Sequence, residues 1–304
     1  MEDQSYEIRI ADVCFRLRTR FVDTIRYFPT EYDSAVHPSQ RRLAEDAETP
    51  TSVPETRPSV SPFHAAEVPE VSIPDLDWAE YIASGMEDCA HTEFSMLTPH
   101  FSDAMLSRDR VIVHGVAVRW HDQAYLICAA SGTGKSTQAR FLQELRPGAF
   151  SIICGDRPVL EFRPADPAVV AAGNDASAAQ RPDEQCSPLR TSPATPAAAE
   201  EWSVLVHPSP WNGKENWHGA DAAPLAGLIL LERGEENRLA SMTDKEAALP
   251  MYPHFIQTAW EADKIRKVAE LETRLLNSVP IWKLTTHQVP DSTRLLLEAI
   301  FSEP

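Results

Sequence analysis

The apolar and polar positions alternate unevenly along the chain, and the local period separates strands from helices. Tyr6 to Leu17, YEIRIADVCFRL, alternates with a period close to two, which predicts an N-terminal strand or a hairpin edge. Val111 to Trp120, VIVHGVAVRW, and Ala124 to Ala129, AYLICA, are apolar runs bounded by the polar pair His121-Asp122, and they predict two antiparallel strands. In Ser136 to Leu145, STQARFLQEL, apolar residues recur at helical spacing until Pro147-Gly148 stops them. Short apolar runs at Phe150 to Cys154, Val159 to Phe162, Ser203 to His207 and Leu225 to Leu231 predict further strands. The C-terminal third reads as helix, strand and helix over Ala259 to Asn277, Ile281 to Thr285 and Ser292 to Phe301. The succession predicts an α/β fold around a mixed sheet.

Two stretches break this pattern. Proline, 25 residues in all, concentrates from about Glu31 to Glu70 and again from about Arg163 to Glu200. Both stretches are rich in Ala, Ser, Thr and acidic residues and poor in large apolar ones. Neither has a core to bury, so each is expected to be a disordered insertion. The chain then divides into an N-terminal region, residues 1–99, holding the first insertion, and a domain over residues 100–304 interrupted by the second.

Charge narrows the partners. Lys and Arg number 28 against 45 Asp and Glu, a formal net charge of −17. There is no basic stripe, and phosphate backbones need clustered cations, so a nucleic-acid partner is not expected. An acidic surface keeps the protein in solution and suits a basic peptide or protein partner. The cysteines, Cys14, Cys89, Cys128, Cys154 and Cys186, are odd in number and form no CxxC pair. That argues against the usual zinc spacings and a disulfide framework, and for a reducing cytoplasm. Cys128 and Cys154 lie in apolar runs, as small core residues do. MEDQSYEIRI has no basic start leading into an apolar core, so no signal peptide is expected. No window holds the roughly 18 apolar residues of a membrane span.

AASGTGKST, Ala129 to Thr137, adds chemistry. A phosphate-binding loop aims consecutive backbone N–H groups at one anion, with glycines to let the chain curl and a helix opening behind it. Ala129-x-x-x-x-Gly134-Lys135-Ser136 keeps that spacing, with Gly132 as the inner glycine, a strand before and a helix after. The segment Ala129, Ala130, Ser131, Gly132, Thr133, Gly134, Lys135, Ser136 and Thr137 is thus expected to cradle a nucleotide triphosphate. Lys135 supplies charge to its β and γ phosphates, and the Ser136 hydroxyl ligates Mg²⁺. Ala129 stands where Gly is usual, which a negative φ there permits. A glycine-rich turn that merely contains GKS would need neither the strand nor the helix.

Such a site also needs an acid at a strand end. SIICGD ends in Asp156, followed by Arg157, and LILLE ends in Glu232, followed by Arg233. The stronger apolar run favours Glu232. Sequence distance favours Asp156, because a small β-α-β unit returns beside the loop after about 20 residues. No guanine-reading NKxD is present, so ATP is the expected nucleotide.

With these pieces in order, the chain resembles the HPr kinase family. His114-Gly115-Val116 in a strand, a second strand, SGTGKST and an acid farther on match the order of that family's HGV strand pair, GxSGxGKS loop and Asp-Asp pair. The segments Gly155-Asp156-Arg157-Pro158 and Pro210-Trp211-Asn212-Gly213-Lys214-Glu215 are closer to HPr-kinase-like proteins of peptide-tailoring clusters, such as kinases of lasso-peptide precursors. The likeness covers roughly Leu106 to Leu231 without the insertion, and extends weakly to VPIWKL. Phosphoenolpyruvate carboxykinases share a related loop and core but are much longer. The resemblance implies a mixed-sheet P-loop kinase core, ATP and Mg²⁺ as cofactors, and a homo-oligomer, the hexamer of HPr kinases being the precedent.

It also implies roles for single residues, each with a plainer alternative. His114 would lie near the phosphates, or be a hairpin histidine with one hydrogen bond. Asp156 would position metal or activate the acceptor hydroxyl. Arg157 would clamp a phosphate or pair with Asp156. Lys214 would stabilise phosphoryl charge, or sit solvated in its loop. Glu232 would be a second metal acid, or cap its strand. Trp211 and Trp217 would frame a ligand, though aromatic packing is their commoner task. Two departures stand out: Gly155 replaces the first Asp of the pair, and Thr137 follows GKS where HPr kinases carry Glu. The expected activity is transfer of the γ-phosphate to a hydroxyl, that of a serine in a peptide or small protein first. A small-molecule kinase on the same core and a nucleotide-binding module without transfer remain as alternatives.

Overall fold

The alternation in YEIRIADVCFRL folds back on itself. Strands β1 (Gln4–Ile10) and β2 (Val13–Thr19) pair antiparallel across a two-residue turn in which Ala11 and Asp12 take φ of 48° and 61°. Positive φ at both positions matches the twist of the flanking strands. The computed structural model describes residues 4–28, 68–73, 88–165, 202–217, 219, 221–258 and 261–302, so the two expected insertions fall outside them except at their edges. After a 3-10 turn at Val22–Tyr27, β3 (Glu70–Val71) joins β2 in parallel. Helix α1 (Cys89–Leu106) follows, its N-terminus capped by Asp88, which accepts from the His91 N–H at 2.9 Å. The buried Glu93 carboxylate of α1 accepts from the backbone N–H groups of Arg20 and Phe21, at 2.7 and 3.1 Å.

The body continues with β4 (Arg110–Ile112), β5 (Gly115–Trp120), β6 (Gln123–Cys128), α2 (Lys135–Leu145), β7 (Phe150–Cys154), β8 (Val159–Pro164) and β9 (Trp202–His207). Then come β10 (Ala223–Arg233), β11 (Arg238–Met242), α3 (Asp244–Met251), a 3-10 turn at Tyr252–His254, α4 (Ala262–Ser278), β12 (Ile281–Thr286) and α5 (Val289–Ala299). The main sheet runs β7-β5-β6-β10-β12-β11, and the start of β10 also pairs with β9, which leads to β8 and β4. β6, β10 and β12 are mutually parallel at its centre, while β5, β7 and β11 are antiparallel to their neighbours. The fold is α/β with a mixed sheet.

The central strands are apolar on both sides because helices cover both faces. Ile127, Ile229 and Leu284 pack against Ala139 and Leu142 of α2 and Leu296 of α5. On the opposite face Leu126, Cys128, Leu228 and Leu230 meet Ala247 and Met251 of α3 and Val268, Leu271 and Leu275 of α4. A third cluster joins the hairpin residues Ile8, Phe15 and Leu17 to Phe94, Leu97 and Phe101 of α1, and then to Ile112, Val159 and Trp211 of the body. Among the described residues no helix is long and apolar enough to cross a membrane.

Three expectations are corrected. VIVHGVAVRW is not one strand: Val113 bonds to the Pro158 carbonyl and His114 to the His254 carbonyl, so the chain changes partners between β4 and β5. His114 therefore lies in the break, outside either strand. The division placed at residue 99 falls inside α1, which carries Pro99 and packs against both the hairpin and the body. Glu70, placed in the first insertion, and Arg163 and Pro164, placed in the second, belong to strands.

Glu161 of β8 is buried where β4, β8 and β9 meet, accepting from Arg110, from Arg163 at 2.7 Å and from the His207 ring at 2.8 Å. Burial alone would raise this carboxyl, but the hydrogen bonds from His207 and Arg163 and the charge of Arg110 outweigh it and hold it at about 2. Against the ordinary 4.5, that is about 3 kcal/mol of stability. Because the folded value is the lower one, the stabilisation is complete above the unfolded value and disappears as the pH falls through about 2. Glu161→Gln is expected to lose about 3 kcal/mol at neutral pH, since it strands Arg110. Urea titrations at descending pH should show the acid limb in the wild type and a flatter profile in the variant.

Candidate functional site

The loop Ala129–Gly134 leaves the end of β6 and enters α2. Gly132 and Gly134 take φ of 76° and 120°, and a Cβ at either would meet nothing within 4 Å, so glycine is required there by backbone conformation and not by crowding. Ala129 is absent from the positive-φ residues and is buried, which is why alanine is accepted at this position. The first bond of α2 runs from the Gln138 N–H to the Gly134 carbonyl at 2.9 Å. The amides of Lys135, Ser136 and Thr137 thus open the helix without helical acceptors, at its positive end. The Ser136 hydroxyl is half-buried and makes no hydrogen bond among the described residues.

Lys135 exposes only 8% of its surface, and its ammonium donates to the Ala129 carbonyl at 2.9 Å. Burial pushes its pKa below the ordinary value, while the charge of Asp156 pulls it back. Asp156 arrives from β7, two strands along the sheet. It lies 3.4 Å from the His114 ring and 3.2 Å from the Arg157 guanidinium, and its carbonyl accepts from the Gly115 N–H at 2.8 Å. The fold therefore gathers Lys135, Asp156, His114 and Arg157 at one end of the sheet. Arg157 also donates to Thr98 of α1 at 2.7 Å, which makes it a brace between Asp156 and the N-terminal region.

The segment Trp211–Trp217 closes over Asp156. Trp217 accepts from the Gly155 N–H at 2.9 Å and Trp211 from the Arg157 N–H at 3.1 Å, both through backbone carbonyls. A Cβ on Gly155 would stand 2.4 Å from the Asn212 carbonyl. Backbone of the turn therefore fills the space beside Gly155. Trp211 is buried against Phe94 and donates from its indole to the Phe94 carbonyl at 2.9 Å, so its task is packing. Trp217 sits under Arg140 of α2 at 5.8 Å.

Two other expected residues do not touch this group of four, although Glu232 shares a cleft with His114. Lys214 is exposed at the tip of the turn and makes no hydrogen bond or ion pair among the described residues. Glu232 ends β10 as the pattern required, but its carboxylate holds Lys283 at 2.9 Å and Thr285 at 3.0 Å, and the Lys283 hydrogen bond keeps its pKa below the usual range. That is the plainer strand-end role. Among the described residues no three His, Cys, Asp or Glu side chains gather as a metal cluster. Ser136 and Asp156 are the remaining candidate ligands, and an unpartnered hydroxyl with one carboxylate suits Mg²⁺, which keeps several waters and takes few protein ligands.

Two residues were not legible beforehand. His254, at the end of the 3-10 turn, is 9% exposed, faces His114 at 6.1 Å between ring centroids, and is held down at about 4 by burial and by the charges of His114 and Lys135. Arg233 donates to the Gly132 carbonyl at 2.9 Å and braces the loop from β10. No spacing rule marks either. A buried network secures α2 from behind: Gln138 donates to Ser292 and accepts from Thr293, both at 2.6 Å, and Ser292 meets Thr286 at 2.8 Å. Gln138→Leu is expected to cost about 2 kcal/mol in urea unfolding, because it removes two buried hydrogen bonds, although Ser292 and Thr293 keep the Val289 carbonyl as acceptor.

His114, His254, Ala129, Ala130, Glu232 and Lys283 line one cleft of about 380 Å³. No protein-family model matches the chain, and no curated protein matches it.

Proposed function

We propose that this chain is an ATP- and Mg²⁺-dependent phosphotransferase on an HPr-kinase-like P-loop core, moving the γ-phosphate to a hydroxyl of a peptide or small protein. The observation that carries this reading is the meeting of Lys135, desolvated at the loop, with Asp156, which His114 and Arg157 hold in place. A buried ammonium beside a loop at a helix N-terminus suits an anion. An oriented carboxylate a short way off suits a hydroxyl that must lose its proton.

In this reading the amides of Lys135 to Thr137 and the Lys135 ammonium bind the triphosphate, while the Ser136 hydroxyl would hold the metal. Mg²⁺, when bound, supplies charge neutralisation at the phosphates. Asp156 orients the acceptor hydroxyl and takes its proton as the new O–P bond forms and the bond to the leaving diphosphate breaks. His114 fixes the carboxylate's direction.

Transfer of labelled phosphate from Mg-ATP to a panel of hydroxyl acceptors tests this. Asp156→Asn is expected to lower transfer about 10²–10⁴-fold. Absence of Mg-ATP binding by the wild type would defeat the proposal. The backbone that fills the space beside Gly155 favours a second reading, a nucleotide-binding module with one acid too few. Mg-ATP binding without transfer to any acceptor or to water would select it.

A further inference from the structure

The cleft sits at the ends of β6 and β10, where Cys128 and Leu230 belong to the α3–α4 side of the core and Ala129 and Leu231 to the α2 side. Its inner end holds His114 and His254, and its wall is Leu230, Met242, Pro250 and Pro253. Lys135, Ser136 and Asp156 serve the phosphates, and none of them belongs to this wall. The His254 ring is nine-tenths buried, lines the cleft and makes no hydrogen bond among the described residues. The ring is therefore a hydrogen-bonding group that no other described side chain uses and that the cleft can offer to an occupant.

The mouth indicates the size of that occupant. Leu249, next in the chain to Pro250, is 84% exposed, the most exposed large hydrophobic side chain among the described residues. Pro250 and Pro253 are exposed as well. Leu249 does not itself line the cleft, but with Pro250 and Pro253 it leaves apolar surface exposed on the segment that forms the wall, which a small polar metabolite would not use and an extended chain with an apolar side chain would. The net charge of −17 favours a basic partner.

We propose that this cleft seats an apolar side chain next to the accepting hydroxyl of a basic peptide, with His254 hydrogen-bonding the peptide beside it. The fate of the hydroxyl rests on the phosphotransferase reading; capture of the peptide does not. His114 lines the cleft and lies 3.4 Å from Asp156, so a chain lying in it brings a neighbouring hydroxyl toward Asp156.

The test uses the full chain without nucleotide and two labelled lysine-rich peptides, one with leucine on both sides of a single serine and one with asparagine there. Fluorescence anisotropy should give about tenfold tighter binding of the leucine peptide, the amount one buried apolar side chain supplies. Met242→Asp in the wall and Leu249→Asn at the rim should each remove that preference. His254→Phe, which keeps the ring and loses its nitrogens, should weaken the leucine peptide about fivefold. Melting temperatures identify any variant that has failed to fold, and Leu249→Asn, at an exposed position, keeps the test open if Met242→Asp does.

Equal affinity for the two peptides, or no binding of either, overturns the proposal. So does sedimentation in which the wild type self-associates and Leu249→Asn does not, because a second copy would then cover the rim. A parallel Mg-ATP titration separates the two claims. Peptide preference without nucleotide binding keeps the cleft and removes the phosphotransferase. Nucleotide binding and transfer to free serine, with no peptide preference, do the reverse.

Discussion

Gly155→Asp, which would complete an acidic pair beside Asp156, should damage the protein and not improve it. A Cβ there meets the Asn212 carbonyl at 2.4 Å and Trp217 Cβ at 3.1 Å, and neither can give way without releasing the backbone bonds that close the turn. Overpacking against main chain of this kind costs about 3 kcal/mol. The turn also covers Asp156, since a Cβ on Gly213 would approach the Asp156 Cβ at 3.1 Å. The variant should therefore unfold at lower urea concentration and transfer less phosphate than the wild type. Activity above wild type would mean that the turn yields and that the missing acid limits the reaction.

Lys135→Met should separate activity from stability in the opposite way. The side chain is nearly as long and fits the same space, but it carries no charge. Removing the donor should lower phosphate transfer and Mg-ATP affinity together, transfer by about 10²–10³-fold. Stability should hold or rise, because the ammonium is buried with a single carbonyl acceptor and its burial disfavours the charged form. Asp156 keeps His114 and Arg157 as partners when Lys135 is gone. Loss of activity with a clear fall in melting temperature would instead make Lys135 a structural residue.

What the sequence makes legible follows from how local each signal is. The loop, its glycines and α2 are contiguous, so spacing alone locates them, and the condition set for Ala129 is met by its backbone. β7, β8, β9, β10 and β12 appear within a residue or two of their expected positions because each is an apolar run flanked by turn residues. α5 begins at Val289, three residues before its expected start, because Pro290 sits in the first turn, where proline is welcome. α1 escapes because Pro99 interrupts its middle and its apolar face is broken by Thr98 and His100. The partners that decide Glu232 and His254, and the Thr98 that holds Arg157 beside its neighbour Asp156, lie far off in sequence, and no local period encodes them.

The hydrogen bond from Trp211 to Phe94 closes 117 residues of chain. Closing so long a loop is entropically dear, and the phosphate loop is no cheaper: Arg233 holds Gly132 from 101 residues away and Gln138 meets Ser292 across 154. The cradle and the turn over Asp156 therefore both depend on the far end of the domain having docked.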